Sequence, residues 1–310
     1  MRIVVTGGAG FIASHVVDAY LDLGHEVHVL DDFSTGSRSN LNPRAVAHVV
    51  DIADPAAAQL IREIRPEVLN HHAAQMDVRR SVSDPVFDAR VNVLGLVNLL
   101  EPCRDVGTRK VIFSSSGGAV YGDGEPIPAP EDRPTLPLSP YGVSKLSGEY
   151  YLAYYAAVFG LPYVALRYAN VYGPRQSSRG EAGVVAIFIS RLLAGLQPVI
   201  NGDGRQTRDY VYVDDVVRAN IAALETAHVG PVNIGTGTET DVVTLFRLVR
   251  AGLGTRIDAI HGPAKPGEQR RSCLDVTRAR DVLGWRPSVE LEEGLRKTIA
   301  YYRERVLDGA

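Results

Sequence analysis

Short apolar runs alternate along this chain with longer stretches in which apolar residues recur every three or four positions. The short runs are rich in Val, Ile and Leu and end at Gly, Pro or Asp, as buried strands do. The longer stretches have the period of helices with one buried face. The predicted strands cover residues 2–6, 26–30, 45–50, 68–72, 110–114 and 163–167. This order predicts an α/β fold built on a Rossmann-type doubly wound parallel sheet.

The regular alternation weakens after residue 169 and returns only for one strand-and-helix unit. We therefore predict two parts. Residues 1–169 and 209–236 form the large domain, and residues 170–208 and 237–310 form a smaller, mainly C-terminal lobe that covers a crevice and binds the substrate.

A glycine-rich turn follows the first predicted strand. Gly7 lets the chain turn, Gly10 lets the backbone approach a pyrophosphate, and the N-terminus of the next helix then faces that anion. Ala13 stands where the pattern more often has a third glycine. A glycine turn between a strand and a helix predicts a dinucleotide site.

Acidic residues follow the second and third predicted strands. Asp31 stands 21 residues after Gly10, where a carboxylate accepts hydrogen bonds from the adenosine ribose. Asp32 comes next, and the two charges would repel a 2′-phosphate, which favours NAD over NADP, although Arg38 keeps NADP open. The pair at 51–52 is a candidate adenine contact.

Tyr141 and Lys145 lie four residues apart in a segment with strong helix signals. Ser139 is a good N-cap and Pro140 suits the first helical position, so a helix over 140–159 would put the phenol and the ammonium on one face. The alternative is that both side chains simply lie on a solvated helix face.

The chemistry of this pair suggests a second cation. A phenol that acts as a base near pH 7 needs its pKa lowered by about 3 pH units, or roughly 4 kcal/mol. The Lys145 charge at about 5 Å, with an effective dielectric near 20, supplies about 3 kcal/mol. An oxidised nicotinamide ring would supply the rest, which links Tyr141 to the dinucleotide site.

Polar residues also follow the fourth and fifth predicted strands. The serine run at 114–116 stands where ligands bind in open α/β sheets, so at least one hydroxyl is expected to act on a ligand, although a flexible turn is the alternative. His71 and His72 would point to opposite faces of a strand, so no metal site is expected.

Asn92 is either a buried polar anchor or a surface residue. The proline-rich loop at 122–139 is expected to be functional or a lid.

The composition of the 310 residues is that of an ordinary globular protein, with 45% hydrophobic and 22% charged residues. A net charge of −3 gives no reason to expect a nucleic-acid partner, and no apolar run has the length of a membrane span. Glycines begin at Gly7, too early for a signal peptide. The two cysteines, Cys103 and Cys273, fit no metal or disulfide pattern, so we expect a cytoplasmic protein.

Taken together, these motifs resemble the extended short-chain dehydrogenases that modify nucleotide sugars, and among them most closely the UDP-glucose 4-epimerases. The resemblance covers nearly the whole chain. It is carried by Thr6-Gly-Gly-Ala-Gly-Phe-Ile, Asp31-Asp-Phe-Ser-Thr-Gly, Ser114-Ser-Ser with Val120-Tyr-Gly, Tyr141-x-x-x-Lys145, Arg167-Tyr-Ala-Asn-Val-Tyr-Gly-Pro and Arg208-Asp-Tyr-Val.

The resemblance implies a role for each matching residue. Tyr141 would be the acid/base, Lys145 would lower its pKa and hold the nicotinamide ribose, and Ser116 would bond the sugar 4-hydroxyl, with Ser115 as the alternative. The residues implied around NAD are Gly7, Gly10, Phe11, Ile12, Asp31, Asp32, Phe33, Ser34, Thr35, Gly36, Asp51, Ile52, Ala73, Ala74, Gln75, Asn92, Tyr141 and Lys145. Those implied around the UDP-sugar are Ser116, Tyr141, Asn170, Val184, Val199, Asn201, Arg208, Lys265, Glu268 and Ser272.

The implied reaction is NAD-dependent epimerisation at C4 of a UDP-hexose through a 4-keto sugar. Ser272 would face the 2-substituent and is small, so N-acetylated sugars are expected to be tolerated. Lys265 stands where relatives usually have arginine, which weakens the expected grip on phosphate.

Several alternatives remain open. A UDP-glucuronate 4-epimerase, or another extended dehydrogenase that modifies nucleotide sugars, has the same motifs. Dehydratases and the UDP-xylose-forming decarboxylase resemble the chain less, because they carry acids where Gly118 and Ala119 stand. A non-catalytic NAD sensor would not need Tyr141 and Lys145 together. The helices near 88–104 and 142–159 resemble those that pair in family dimers, so a homodimer is expected.

Overall fold

The computed structural model describes residues 1–177, 183–264 and 269–308, and the side chains as far as residue 305. It contains fourteen strands within these ranges. They are β1 (Arg2–Thr6), β2 (Glu26–Asp31), β3 (Val46–Val49), β4 (Val68–His71), β5 (Lys110–Ser116), β6 (Tyr163–Tyr168), β7 (Asn170–Tyr172), β8 (Val199–Asn201), β9 (Thr207–Arg208), β10 (Tyr210–Tyr212), β11 (Gly230–Ile234), β12 (Thr240–Asp241), β13 (Ile260–Gly262) and β14 (Arg271–Ser272).

Twelve α-helices lie in the same described ranges. They are α1 (Phe11–Asp22), α2 (Pro55–Ile64), α3 (Val78–Ser83), α4 (Pro85–Ala89), α5 (Gly95–Val106), α6 (Gly117–Val120), α7 (Pro140–Phe159), α8 (Val184–Leu193), α9 (Val213–Glu225), α10 (Val242–Leu253), α11 (Thr277–Leu283) and α12 (Leu291–Asp308). A wider π-helical segment, Arg90–Leu94, joins α4 to α5. No helix in the described part of the chain is long and apolar enough to cross a membrane.

Seven strands form one parallel sheet in the order β11-β6-β5-β4-β1-β2-β3. The direction of winding reverses between β1 and β4, which opens a crevice at the carboxyl ends of these two strands. Separate apolar cores cover the two faces of this sheet, one including Ile3 and Val164 and the other including Val4 and Val111. The predicted fold class is confirmed.

The smaller lobe has its own apolar core, which includes Phe188, Leu245 and Leu295. Its short strands pair as β10 with β7, β13 with β8, and β12 with β9 and β14. Ala279 of α11 and the neighbouring Trp285 instead pack in the core of the large sheet. The sequence-based division placed both in the lobe, because a short helix gives no sign of the surface it covers.

Candidate active site

The turn between β1 and α1 packs directly on the chain that follows β4. Gly7 has a positive φ of 68°, and a Cβ at this position would lie 2.8 Å from the Ala73 nitrogen. The Gly10 amide donates to the Gly7 carbonyl at 2.9 Å, which closes the turn ahead of α1. The backbone therefore forms a cradle that a side chain at Gly7 would fill, as a pyrophosphate site requires.

Asp31 ends β2 beside this turn. Its carboxylate accepts hydrogen bonds from the amides of Ala9, at 2.9 Å, and Phe33, at 2.8 Å. Burial raises the pKa of Asp31, and the two amides oppose that rise. Asp32 is more exposed and accepts from the amide and hydroxyl of Ser34. Two acceptors next to the glycine turn fit a dinucleotide ribose.

The remaining loop residues predicted around NAD surround the same turn. A Cβ at Gly36 would lie 3.1 Å from an Asp31 carboxylate oxygen, so this loop packs closely on the carboxylate. The Arg38 guanidinium lies 4.2 Å from the centroid of the Phe33 ring. Arg38, the residue that left NADP open, thus packs over Phe33.

The predicted adenine contacts follow β3. The Asp51 carboxylate lies 3.5 Å from the Arg90 guanidinium and accepts from the Ala53 amide. Ile52 is buried, and its side chain would meet a Cβ placed at Gly95. Ile52 thus packs mainly against α5, and Asp51 remains partly exposed.

Asn92 is a buried anchor and not a surface residue, because its polar atoms are used inside the protein. Its amide exchanges hydrogen bonds with the backbone of Gln75 at 2.8 and 2.9 Å. It also donates to Ser144 on α7 at 3.0 Å and to Asp88 at 3.1 Å. These contacts position the loop at 73–75, and a role of Asn92 at the NAD site stays a prediction.

Tyr141 and Lys145 lie on the face of α7 that packs against the end of β5. The Ser139 hydroxyl caps the helix by accepting the Gly142 amide, as predicted. Lys145 is buried, donates to the Ser114 carbonyl at 2.8 Å, and has its nitrogen 5.9 Å from the Tyr141 ring centroid. The Ser116 hydroxyl interacts with the Tyr141 phenol.

The pKa of Tyr141 moves in the direction opposite to the predicted one. Burial raises it to about 12, and the interaction with Ser116 opposes this rise. The sequence-based arithmetic counted the charge of Lys145 and omitted the cost of desolvating a phenolate. Burial also lowers the pKa of Lys145 to about 8, against the attraction of Asp88 and Glu149.

Ser115 points away from Tyr141 into a buried polar network. Its hydroxyl donates to Glu149, whose carboxylate is paired with the Arg167 guanidinium at 2.6 Å. Arg167 also donates to the Tyr121 hydroxyl at 2.7 Å. Ser115 thus joins β5 to α7 and β6, while Ser116 faces the phenol.

The two histidines at the end of β4 lie on opposite faces of the sheet. His71 stacks on Phe113 and has a nitrogen 2.9 Å from the Thr6 hydroxyl, whereas His72 lies beside Tyr168. Burial lowers the pKa of both, and the charge of Lys145 lowers it further. Both rings are therefore neutral near pH 7.

Apart from Ser116 and Tyr141, the described residues predicted to bind the substrate lie on or beside the short strands and helices that follow β6. Arg208 on β9 pairs in register with Ser272 on β14, and Ser272 is buried. Asn170 is exposed at the start of β7, with its amide oxygen 3.9 Å from where a Gly118 Cβ would be. Val184 begins α8, and Val199 and Asn201 bound β8. Lys265 and Glu268 lie outside the described residues.

The proline-rich loop is fastened to this lobe. Ala129 forms backbone hydrogen bonds with Cys273 and Asp275 at 2.8 and 3.0 Å, and Gln269 donates to the Gly122 carbonyl at 2.8 Å. The loop therefore connects the chain that follows β5 to the segment that carries Ser272.

Three buried carboxylates near these residues, Asp88, Glu149 and Asp209, were not predicted from the sequence. Glu149 stands four residues after Lys145, so the spacing of Tyr141 and Lys145 could have identified it. Asp88 contacts Asn92 and Gln75, and no motif marks it. Asp209 accepts from the amides of residues 236, 237 and 274 and so joins the large domain to the lobe.

Comparisons with known proteins agree with this geometry. Residues 3–235 match the model of the NAD dependent epimerase/dehydratase family. The UDP-glucose 4-epimerase of Mycolicibacterium smegmatis is 48% identical over 311 residues, covering 98% of this chain and 99% of that protein. The crystal structure of Thermotoga maritima UDP-glucose 4-epimerase with UDP-glucose has a TM-score of 0.97 and 48% identity, covering 99% and 100% of the two chains.

A second similar structure is that of a UDP-N-acetylglucosamine 4-epimerase. It comes from Methanobrevibacter ruminantium, in complex with UDP-N-acetylmuramic acid, and has a TM-score of 0.94 and 36% identity over 98% of each chain. With the glycine turn, Asp31 and the Tyr141–Lys145 pair in place, the chain belongs to the NAD-dependent epimerase/dehydratase family.

Proposed function

We propose that this protein epimerises C4 of a UDP-hexose of the UDP-glucose and UDP-galactose type, with NAD as its cofactor. The observation that supports this best is the meeting of Tyr141, Lys145 and Ser116 at the carboxyl end of β5, on the crevice beside the glycine turn. A base, a cation and a hydroxyl at this place suit oxidation and reduction of a sugar hydroxyl.

Each side chain has one role in the proposed reaction. Tyr141 removes the proton from the 4-hydroxyl and later returns a proton to the same oxygen. Ser116 orients that hydroxyl, and Lys145 supplies positive charge beside the phenolate. The glycine turn and Asp31 would hold NAD+, which would supply a reversible hydride acceptor for C4, so that the hydride could return to the opposite face of the 4-keto sugar.

Tyr141, the proposed base, has to lose its proton at a pH far below its pKa in the buried site. Moving the pKa of Tyr141 from about 12 to near 7 requires roughly 7 kcal/mol. The hydrogen bond with Ser116 already acts in the pKa of about 12. The charge of Lys145 provides part of the remaining stabilisation, and burial makes its attraction to a phenolate stronger than it would be in water. Because the same desolvation disfavours a phenolate, Tyr141 stays protonated near pH 7 unless further positive charge lies beside it.

Dehydration fits this site less well than epimerisation. The positions that carry acids in dehydratases are Gly118 and Ala119, so neither offers a carboxylate to remove a second proton. UDP-glucuronate 4-epimerisation uses the same groups and is the second candidate. A non-catalytic sensor would not need Ser116 to face Tyr141.

The test is to incubate the purified protein with UDP-glucose, UDP-glucuronate and their N-acetylated counterparts and to follow the C4 epimers. Tyr141→Phe should lower kcat at least about 100-fold, since it removes the acid/base group. Tyr150→Phe on the exposed face of the same helix is the matched control and should keep the activity. Full turnover by Tyr141→Phe would refute the assignment.

We also propose that the lobe formed by residues 170–208 and 237–310, apart from the segment of α11 and Trp285, binds the UDP-sugar. The other predicted contacts are proposed to hold the nucleotide, and they are Asn170, Val184, Val199, Asn201, Arg208, Lys265 and Glu268. Binding of UDP, measured by calorimetry, should weaken at least about 10-fold in Arg208→Met, because a cation that contacts phosphate is lost. Unchanged UDP affinity would exclude Arg208.

Ser272 is proposed to leave room for a 2-N-acetyl group. Its side chain is small and buried, and it pairs in register with Arg208. Ser272→Tyr should reduce kcat/KM for UDP-N-acetylglucosamine much more than for UDP-glucose, whereas Ser272→Ala should leave the ratio unchanged. An unchanged ratio in Ser272→Tyr would contradict this role.

A homodimer is proposed to form through the helices near 88–104 and 142–159, which correspond to the segment from α4 to α5 and to α7. Val86, Val143 and Tyr150 are more than half exposed there, and a groove of about 600 Å³ runs between the two helices. Contiguous apolar surface of this kind is typical of a protein interface. Sedimentation should give a dimer, and Val86→Glu should shift it toward the monomer. A wild-type monomer at micromolar concentration would refute the proposal.

The cytoplasm is the proposed location. Cys103 and Cys273 are both buried and unpaired, which suits a reducing compartment. Fractionation of the producing cells would test this, and recovery of the protein outside the cytoplasm would overturn it.

A further inference from the structure

Asp88 is a buried carboxylate next to the catalytic helix to which the proposed reaction assigns no role. It lies on α4, which packs against α7, and is only 1% exposed. Within the described chain its carboxylate accepts hydrogen bonds from two neutral amides, Gln75 at 3.0 Å and Asn92 at 3.1 Å. Neutral donors leave the negative charge itself uncompensated, and a buried charge needs a counter-charge.

The other buried carboxylate on this side of the site has its own counter-ion. Glu149 is paired with the Arg167 guanidinium at 2.6 Å and accepts the Ser115 hydroxyl. Lys145 is attracted by both carboxylates, and its ammonium donates to the neutral Ser114 carbonyl at 2.8 Å. Since Arg167 already compensates Glu149, Lys145 is the cation available to Asp88.

The same carboxylate is connected to the parts that must be aligned. Through Gln75 it holds the loop that follows β4, where the cofactor is proposed to bind. Through Asn92, which donates to the Ser144 hydroxyl at 3.0 Å, it is linked to α7 between Tyr141 and Lys145. Hydrogen bonds thus connect Asp88 to the loop that follows β4 and, through Asn92, to α7.

We propose that Asp88 is a positioning residue of the epimerisation site, holding the cofactor loop against α7 and serving as the counter-ion that keeps Lys145 an ammonium. This inference rests on the proposed function. It adds a residue that touches neither cofactor nor substrate and acts on the base through its neighbours.

The charge balance around Lys145 gives the sign of the effect. Asp88 raises the pKa of Lys145 against burial and also raises the pKa of Tyr141. Removing its charge should therefore lower both pKa values. The titratable and charged groups that surround Lys145 are Tyr141 and Glu149 on α7, His71 and His72 at the end of β4, Arg167 on β6 and Asp88 on α4.

Asp88→Asn is a clean test, because the amide oxygen of asparagine can still accept both hydrogen bonds while the charge is lost. In the holoenzyme, the pH profile of kcat/KM for UDP-glucose should move to lower pH as a whole. A role in folding alone would lower activity or stability without moving the profile. Asp105→Asn, an exposed carboxylate at the far end of α5, is the matched control and should leave the profile unchanged.

A second readout does not depend on turnover. The protein has four lysines, so the ¹³Cε resonance of Lys145 can be assigned by its loss in Lys145→Met. Asp88→Asn should lower the pKa of Lys145 by about one pH unit, the size expected for the loss of a nearby opposite charge. An unchanged pKa of Lys145 together with an unmoved profile would overturn the role of Asp88, whereas absence of epimerisation in the wild type would overturn only the proposed function.

Discussion

The ion pair between Glu149 and Arg167 should behave as a single unit beneath the active site. Their side chains are 6% and 5% exposed, and the guanidinium makes three hydrogen bonds to the carboxylate between 2.6 and 3.2 Å. Because water reaches neither group, removing one charge leaves the other buried alone. Arg167→Met and Glu149→Met should each lower the free energy of unfolding by about 3–5 kcal/mol.

The double variant should be much less damaging than the two single variants added together. With both charges gone, the remaining loss is that of hydrogen bonds to the hydroxyls of Ser115 and Tyr121, each about 1–2 kcal/mol. Two single losses of about 4 kcal/mol each, against about 3 kcal/mol for the double variant, give an expected coupling free energy of about 5 kcal/mol in the double-mutant cycle.

Urea unfolding followed by tryptophan fluorescence would measure this coupling. Trp285 is the only tryptophan of the chain and is buried in the core of the large sheet, so its emission reports on that domain. The exposed pair Glu293 and Lys297, 3.0 Å apart on α12, is the control, and its cycle should give less than about 0.5 kcal/mol. If the effects of Glu149→Met and Arg167→Met add within that value, the buried pair is not a unit.

Three further predictions concern single residues of the site. Gly7→Ala should lower the free energy of unfolding by about 1–2 kcal/mol for the left-handed backbone alone. Since its Cβ would lie 2.8 Å from the Ala73 nitrogen, it should also weaken NAD affinity in a fluorescence titration, and tight NAD binding would argue against the cradle. Ser116→Ala should lower kcat about 100-fold at unchanged stability, whereas Ser115→Ala should lower stability by about 1–3 kcal/mol, and the reverse pattern would exchange their roles. Burial lowers the pKa of Lys145 from 10.5 to about 8, so its contribution to stability is present above pH 10.5 and is lost as the pH falls through 8. The free energy of unfolding of the wild type relative to Lys145→Met should therefore fall by about 3 kcal/mol from pH 10.5 to pH 8. A pH-independent difference in urea unfolding would contradict the lowered pKa.

The large domain was predictable because its strands and turns carry strong local signals. Strands buried on both faces are continuous apolar runs, and Asp31 and the serine run mark the edge where these strands end. The structure extends β5 to Ser116, two residues beyond the prediction, because serines at the end of a buried strand still pair with β6.

The lobe was harder to predict because its elements are short. β9, β12 and β14 have two residues each, too few to show any alternation of apolar and polar positions. Their pairing depends on contacts between segments more than 30 residues apart, such as Arg208 with Ser272. Spacing along the chain contains no information about such contacts.

Within the site, helical spacing predicted the side chains that share a face but not their electrostatics. Tyr141 and Lys145 share a face, as four-residue spacing requires, yet the pKa of the phenol rises where a fall was expected. Desolvation depends on how completely α3, α4 and β5 cover α7, which is a property of packing alone. For the same reason Asp88 and the anchoring contacts of Asn92 carried no signal in the sequence.

The buried face of α7 shows why this site should be costly to stability. At four-residue intervals, where a helix packed on a parallel sheet would ordinarily place leucine or valine, it carries the partly exposed Tyr141 and the buried Lys145 and Glu149. Replacing a buried ion pair by apolar residues of similar size is often neutral or stabilising, so the fold itself does not require these charges. What they provide is a cation held beside a phenol in a dry environment, where its effect on a developing phenolate is greatest. Selection for stability alone should therefore replace these charges only together with their partners, such as Glu149 with Arg167, and each such replacement should cost activity.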